Sequence, residues 1–172
     1  RFADLRSGFC GLALARESHF ANVLLCVWFK KEKKGGKNVF KNFYFKMELN
    51  KIYNESNIET MAKMPDNFID LTVTSPPYDG LRTYNGYSFP FEDIAKELFR
   101  VTKDGGVVSW IVGDSTINGC ESLTSFKQAL YFKEIGFNVH DTMIYAKNNP
   151  VPLTHNRYEQ QFEYMFILSK GK

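Results

Sequence analysis

A β-branched run that stops at two prolines occupies residues 68–78 and reads Phe68-Ile69-Asp70-Leu71-Thr72-Val73-Thr74-Ser75-Pro76-Pro77-Tyr78. The run predicts a strand, because β-branched residues favour extended backbone and Pro65-Asp66-Asn67 is typical of a turn before it. Each proline fixes its own φ and holds the residue before it extended. We therefore expect Ser75 and Pro76 to form a stiff, outward-facing end to the strand.

The segments on either side of this run predict alternating helices and strands. A short helix is expected at residues 57–64, and apolar residues recur at helical spacing in residues 91–101. A Gly105-Gly106 turn then leads into residues 107–112, a continuous apolar run that indicates a strand buried on both faces. A further helix is expected at residues 123–135, with Gly136 as its stop.

The last two predicted strands, residues 138–147 and 162–170, are joined by a loop without a helix, so we expect them to be antiparallel. The fold class predicted is α/β, a partial Rossmann-like sheet of parallel strands with an antiparallel C-terminal edge. Ligands in such sheets bind beyond the carboxyl ends of the strands. Ser75 and Asp114 fall at two of those ends.

The Ser-Pro-Pro-Tyr segment carries side chains that suit methylation of an exocyclic base amine. Such an amine is a weak nucleophile, because its lone pair is delocalised into the ring. Two acceptors, the Ser75 hydroxyl oxygen and the Pro76 carbonyl, would take its protons and return the lone pair to the nitrogen. Tyr78 offers a flat face for a base flipped out of the double helix.

The chain resembles the DNA amino-methyltransferases that modify cytosine N4 or adenine N6, whose fourth motif is Ser/Asp/Asn-Pro-Pro-Tyr/Phe. Thr74 to Tyr78 is most similar to the cytosine-N4 branch, while Asp in place of Ser75 is typical of the adenine-N6 branch. The resemblance covers about residues 50–172 and includes residues 100–106, similar to the family's Arg-Val-Leu-Lys-Pro-Gly-Gly turn.

Further residues enter through this resemblance. It implies catalysis by Ser75, Pro76, Pro77 and Tyr78, and S-adenosyl-L-methionine as cofactor, with Thr74, Ser56 and Asp79 as candidate contacts. Arg82, Tyr84 and Asp114 are candidate contacts for double-stranded DNA with a flipped base. Two alternatives stay open: Asp114 could instead cap the backbone that follows it, and the aromatic residues after the motif could simply pack their loop.

The family's Phe-x-Gly-x-Gly cofactor loop is absent from this sequence. We therefore interpret the chain as the N-terminal, truncated part of a methyltransferase. The chain can be active by itself only if the cofactor binds without that loop. Adenine-N6 methylation and a non-catalytic DNA-binding fragment remain the alternatives. Cytosine-C5 methylation is disfavoured, because it uses a thiolate after a proline and no cysteine here follows one.

Residues 1–46 differ in composition from the remainder of the chain. They carry ten Lys and Arg against three Asp and Glu, whereas residues 47–172 carry twelve against sixteen. We interpret residues 1–46 as a basic leader outside the fold and residues 47–172 as the methyltransferase domain, with Met47 as the native start. The alternative is a basic arm that touches DNA phosphates.

Three widely spaced cysteines indicate neither a disulfide framework nor a metal site, and they fit a reducing, cytoplasmic setting. The apolar stretch at residues 20–29 is too short for a membrane span, which needs ~20 residues. We therefore expect no metal and no membrane partner. A restriction endonuclease is a possible partner, as in restriction-modification systems.

Overall fold

A computed structural model describes residues 9–15, 25–30, 52–77, 89–148, 158 and 160–171. The strands are β1 Phe9–Ala15, β2 Leu25–Lys30, β3 Ile52–Asn54, β4 Ile69–Thr74, β5 Thr102–Val112, β6 Thr116–Ile117, β7 Cys120–Glu121, β8 Phe137–Ala146 and β9 Phe162–Lys170. The helices are α1 Asn57–Lys63, α2 Phe91–Val101 and α3 Thr124–Glu134.

Seven strands form one mixed sheet in the order β3-β1-β2-β4-β5-β9-β8, and β6 and β7 form a separate hairpin. β4 and β5 are parallel and are connected through α2. β9 pairs antiparallel with β5, and β8 pairs antiparallel with β9. The predicted α/β class, with parallel strands and an antiparallel C-terminal edge, is confirmed.

β5 begins five residues earlier than the apolar run predicts. Ile69 is paired with Thr102, but Leu71, two residues on, is paired with Val107, so residues 103–106 bulge out of the strand. Gly105 has φ +77°, which favours glycine, and a Cβ on Gly106 would lie 2.8 Å from the Lys103 carbonyl oxygen. The Gly-Gly pair therefore serves a bulge within β5.

Two stretches of the predicted leader lie in the sheet. β1 pairs in parallel with β3, and β2 pairs antiparallel with β4 over four residue positions. The structure differs here from the expectation that residues 1–46 lie outside the fold. The sequence of β2 is a short apolar run without alternation, and such a run does not distinguish a strand from a helix. Whether residues 47–172 fold without the leader stays a prediction.

Arg100, near the end of α2, fixes α2 beside α1. Its guanidinium donates to the carbonyl oxygens of Met61 at 2.6 Å and Met64 at 2.8 Å, both at the end of α1. β3 and β4 are parallel, since β3 pairs in parallel with β1 and β2 pairs antiparallel with both β1 and β4. α1 and α2 each return from the carboxyl end of one of these strands to the start of the next strand, so the two helices run in the same direction. Since α2 starts after the carboxyl end of β4 and returns to the start of β5, the N-termini of α1 and α2 face the carboxyl ends of these strands.

The core lies between the three helices and one face of the sheet. Trp110 and Val112 in β5, Leu98 in α2, Phe132 in α3 and Leu168 in β9 are buried in one cluster. β8, the last strand of the sheet, is exposed along most of its length. None of the described helices is both long and apolar enough to span a membrane.

Candidate active site

The predicted motif lies where β4 ends. Thr74, the last residue of β4, is buried, Ser75 is exposed, and Pro76 and Pro77 are buried. The two rings pack into the protein while the serine between them and the strand reaches the surface. The motif therefore presents Ser75 at the carboxyl end of a parallel strand, and the stiffness of this end stays a prediction. Tyr78 lies outside the described residues.

An aromatic cluster supports this end of the sheet. Trp110 of β5 is the register partner of Thr74, and its Nε1 donates to Gln128 Oε1 at 2.8 Å. The Trp110 ring lies 6.4 Å from the ring of Phe89 and 5.9 Å from that of Phe91. Pro77 and Phe89 bound residues 78–88. Phe89 therefore packs against the β5 residue that is in register with Thr74, directly before Ser75.

Asp114 is buried at the carboxyl end of β5, where the sequence places a candidate substrate contact. One carboxylate oxygen accepts from the Ser125 backbone N–H at 2.9 Å and the other from Ser125 Oγ at 2.5 Å. Ser122 Oγ also donates to Asp114, at 3.3 Å. Asp114 thus caps the first turn of α3, as the alternative interpretation proposed. A contact with substrate stays a prediction.

Ser56, a candidate cofactor contact, lies at the start of α1. Its side chain makes no capping hydrogen bond, while its carbonyl oxygen accepts from Thr60 N–H at 2.9 Å. Thr60 Oγ1 donates to Glu55 Oε1 at 2.7 Å, which ties the residues before α1 to the helix. Because α1 and α2 are parallel, Ser56 lies toward the same end of the molecule as Ser75.

Two side chains that sequence reasoning missed lie at this end. Asn57 Nδ2, in the first turn of α1, and Ser115 Oγ, directly after Asp114, are buried polar atoms that have no hydrogen-bond partner among the described residues. Buried polar groups are normally paired, so each of these atoms is available to a ligand. The only sequence signal was indirect, because Asn is poorly suited to a helix interior and favours helix ends.

The other candidate contacts, Asp79, Arg82 and Tyr84, lie outside the described residues, so their roles stay predictions. Within the part of the chain that is described, no group of three or more His, Cys, Asp or Glu side chains could hold a metal ion. Cys120, in β7, is exposed and forms no disulfide within the described residues.

Comparison with known proteins shows the following. A family model for DNA methylases, of the N6 and N4 methyltransferase type, matches residues 69–172. The orphan methyltransferase M.BamHII of Bacillus amyloliquefaciens is 68% identical over 107 residues, which make up 62% of this chain and 40% of that protein. The type II methyltransferase M.BglII of Bacillus subtilis is 37% identical over 75 residues, 40% of this chain and 21% of that protein. The chain thus spans less than half the length of either relative.

Solved structures share the fold at lower identity. The PvuII DNA methyltransferase, described as cytosine-N4-specific, superposes with a TM-score of 0.56 at 18% identity over 68% of this chain and 48% of that chain. A DNA modification methylase of Thermus thermophilus, solved as a complex with S-adenosyl-L-methionine, superposes with a TM-score of 0.53 at 21% identity over 67% of this chain and 53% of that chain.

Proposed function

This chain belongs to the N6 and N4 DNA methylase family, and from that membership we propose that it transfers a methyl group from S-adenosyl-L-methionine to an exocyclic amine of DNA, most readily cytosine N4. The observation that carries the proposal is Ser75, exposed at the carboxyl end of β4 between a buried threonine and two buried prolines. A rigid acceptor at a strand end suits a reacting amine, because it needs little reorganisation during the reaction.

Ser75 and Pro76 act on the amine in this proposal. The hydroxyl oxygen of Ser75 and the carbonyl oxygen of Pro76 accept one hydrogen bond each from the amino group, which localises the lone pair on nitrogen. The nitrogen forms its bond to the methyl carbon and gives up one proton in the direction of these acceptors. Tyr78 stacks on the base after it leaves the helix, and Arg82, Tyr84 and Asp114 contact the DNA around it.

The described residues fit the proposed cofactor. Asn57 has a buried amide nitrogen with no partner in the described part of the chain, and a donor of that kind suits the carboxylate or the adenine nitrogens of S-adenosyl-L-methionine. We propose that Asn57 and its neighbour Ser56 hold the cofactor, together with Thr74 and Asp79. The cofactor would supply a methyl group on a sulfonium: as the nitrogen bonds the methyl carbon, the carbon–sulfur bond would break and the sulfur would leave as a neutral thioether.

Nucleoside analysis tests both the reaction and the base. The full chain is incubated with unmethylated duplex DNA and labelled S-adenosyl-L-methionine, and the digested DNA is analysed by mass spectrometry. We expect N4-methylcytosine, with Ser75→Ala as the inactive control. N6-methyladenine as the sole product would contradict the cytosine assignment and leave amine methylation intact. No methylated nucleoside from any duplex would contradict the enzymatic proposal.

A DNA-binding fragment without catalysis is the second candidate. It is favoured by the absence of a Phe-x-Gly-x-Gly sequence from the chain. Calorimetry with S-adenosyl-L-methionine separates the two, because a catalytic chain must bind the cofactor. A dissociation constant in the tens of micromolar, about 6 kcal/mol, supports the enzyme, whereas DNA binding without measurable cofactor binding supports the second candidate.

The biological setting that we propose is restriction-modification. Relatives such as M.BglII are named type II methyltransferases, which supports this setting, while M.BamHII is named an orphan methyltransferase. A cognate endonuclease is therefore the part of the proposal to test. A test is whether DNA methylated by this chain resists cleavage by an endonuclease encoded beside its gene.

A further inference from the structure

We propose that the β6–β7 hairpin is a DNA-contacting finger that places Ile117 against the bases next to the flipped target. This inference rests on the proposed function and adds a second contact point to it. The hairpin consists of residues 116–121, all of which are exposed. It forms a sheet of its own, separate from the seven-stranded sheet.

The first step of the argument is position. β6 follows the carboxyl end of β5 after three residues, and β5 lies directly beside β4 in parallel. Thr74 is paired with Trp110, so Ser75 is level with Ile111, four residues before Ser115. Four extended residues span about 13 Å. The hairpin thus starts no more than about 13 Å beyond the level of Ser75, at the same end of the sheet.

The second step is rigidity at the base of the hairpin. Ser122 N–H donates to the Ser115 carbonyl oxygen at 2.8 Å, and Ser122 Oγ accepts from Ser115 N–H at 3.2 Å. Asp114 holds the same segment to α3 through Ser122 and Ser125. The base is therefore joined to both β5 and α3.

The tip is preorganised as well. Asn118 and Gly119 have φ of +50° and +81°, the pattern of a tight type I′ turn that matches the twist of a hairpin. A hairpin that is held at its base and at its tip loses little conformational entropy when it contacts a partner.

The third step is the chemistry of the tip. Ile117 is 57% exposed, and it lies between Thr116 and Asn118, whose side chains can hydrogen-bond base edges. Glu121 is the only charged residue of the hairpin, and Lys127 donates to the Ser122 carbonyl oxygen at its base. A nearly uncharged finger is poorly suited to phosphates. An exposed aliphatic side chain on a stiff support suits unstacked bases, between which apolar wedges insert.

Cys120 provides a local probe, because it is exposed and is the register partner of Ile117. The full chain is alkylated with a maleimide in the presence and absence of duplex DNA, and each cysteine is followed by peptide mass spectrometry. We expect duplex DNA to slow alkylation of Cys120 severalfold, with the reaction of the unfolded chain as the reference rate.

Ile117→Ala tests the apolar contact and Leu130→Ala is its matched control. Leu130 is 68% exposed on α3 and lies outside the hairpin. We expect Ile117→Ala to weaken binding of duplex DNA about tenfold, with an unchanged salt slope because no phosphate contact is lost. Leu130→Ala should bind DNA like the unmodified chain.

The outcomes separate this inference from the proposed function. If the chain methylates DNA but DNA does not slow the alkylation of Cys120, the finger is contradicted and the methyltransferase proposal stands. The same conclusion follows if Ile117→Ala binds DNA as tightly as the unmodified chain. A chain that neither binds nor methylates DNA overturns both. Cys120 protection by DNA together with weakened Ile117→Ala binding supports the finger, whichever base is methylated.

Discussion

The residues of the candidate site divide into those that hold the backbone and those that reach the surface. Pro76 and Pro77 are buried, and Asp114 is bound by the first turn of α3, so these three residues have structural contacts whatever the chemistry. Ser75 is exposed next to them. The substitutions that separate activity from stability therefore begin with this serine.

Ser75→Ala should abolish most of the activity without unfolding the chain. Removing one preorganised hydrogen-bonding group from a reacting centre costs about 10²–10³-fold in kcat, whereas an exposed serine contributes little to stability. Steady-state methylation and chemical denaturation measure the two effects. Thr142→Ala, which removes an exposed hydroxyl from β8, is the control, and equal activity of the two variants would contradict the role of Ser75.

Asp114→Ala should lower the free energy of unfolding by about 1–3 kcal/mol, because the Ser125 backbone N–H and hydroxyl lose their buried acceptor. The measurement is urea denaturation followed by circular dichroism. Ser122→Ala removes longer contacts, among them those to Asp114 at 3.3 Å and from the Ser115 N–H at 3.2 Å, and should cost less. A larger loss for Ser122→Ala would mean that the hairpin base, and not the α3 cap, is the stabilising contact.

For the individual residues of the site, the sequence predicts the motif but not the buried side chains around it. Ser75 and the two prolines are found from local backbone rules, which act on adjacent residues. Asn57 and Ser115 are not predicted, because burial without a partner depends on contacts between distant segments. The contact between Asp114 and Ser125 depends on where α3 starts, so a cap and a pocket residue look the same in the sequence.

Among the elements, α1 and α2 depend on one side chain for their alignment. Arg100 bonds two carbonyl oxygens of α1 and forms ion pairs with Glu97 at 2.7 Å and Asp66 at 2.6 Å. The hydrogen bond with Glu97 is the main cause that raises the pKa of Arg100 above its ordinary value. The stabilisation that comes from this raised pKa is fully present at neutral pH and is lost as the pH rises through strongly alkaline values.

Arg100→Met should lower the free energy of unfolding by about 2–4 kcal/mol, since the carbonyl oxygens of Met61 and Met64 and two carboxylates lose their donor. Thermal and chemical unfolding monitor the loss. Lys63→Met breaks an exposed, 3.6 Å pair with Glu55 and should change stability by no more than about 0.5 kcal/mol. Similar effects of the two variants would contradict a central role for Arg100.

Element positions were predicted closely where one physical signal dominates. The bounds of α2 and β9 agree with the sequence, because each has a strong period or a continuous apolar run between clear breakers. The start of β5 was not predicted, since a Gly-Gly pair fits a turn and a bulge equally well. The β6–β7 hairpin was also missed, because its strands of two residues are too short to show a period.

The sheet as a whole joins segments from both ends of the chain. β2 covers the edge of β4 that does not face β5, and β1 continues the sheet beyond it. The charge contrast between residues 1–46 and the remainder nevertheless led the sequence to predict two separate parts. Charge composition describes each segment by itself, whereas strand pairing depends on contacts between segments in the folded molecule.

Deleting residues 1–46 tests whether this segment belongs to the sheet or is a leader outside the fold. We expect residues 47–172 to unfold at a lower denaturant concentration, because the backbone of β4 loses its hydrogen-bonding neighbour and its edge meets water. Denaturation curves of the two chains provide the comparison. An unchanged midpoint would contradict the pairing and support a leader outside the fold.

The exposed strand β8 has a consequence for handling the protein. Its last described residues include Met143, Ile144 and Tyr145, each at least 43% exposed, on an edge that pairs only with β9 among the described strands. Long apolar edges recruit strands from other molecules and seed aggregates. Concentrated samples should therefore scatter light on warming, and Ile144→Lys, a gatekeeper charge at the centre of that edge, should delay the onset.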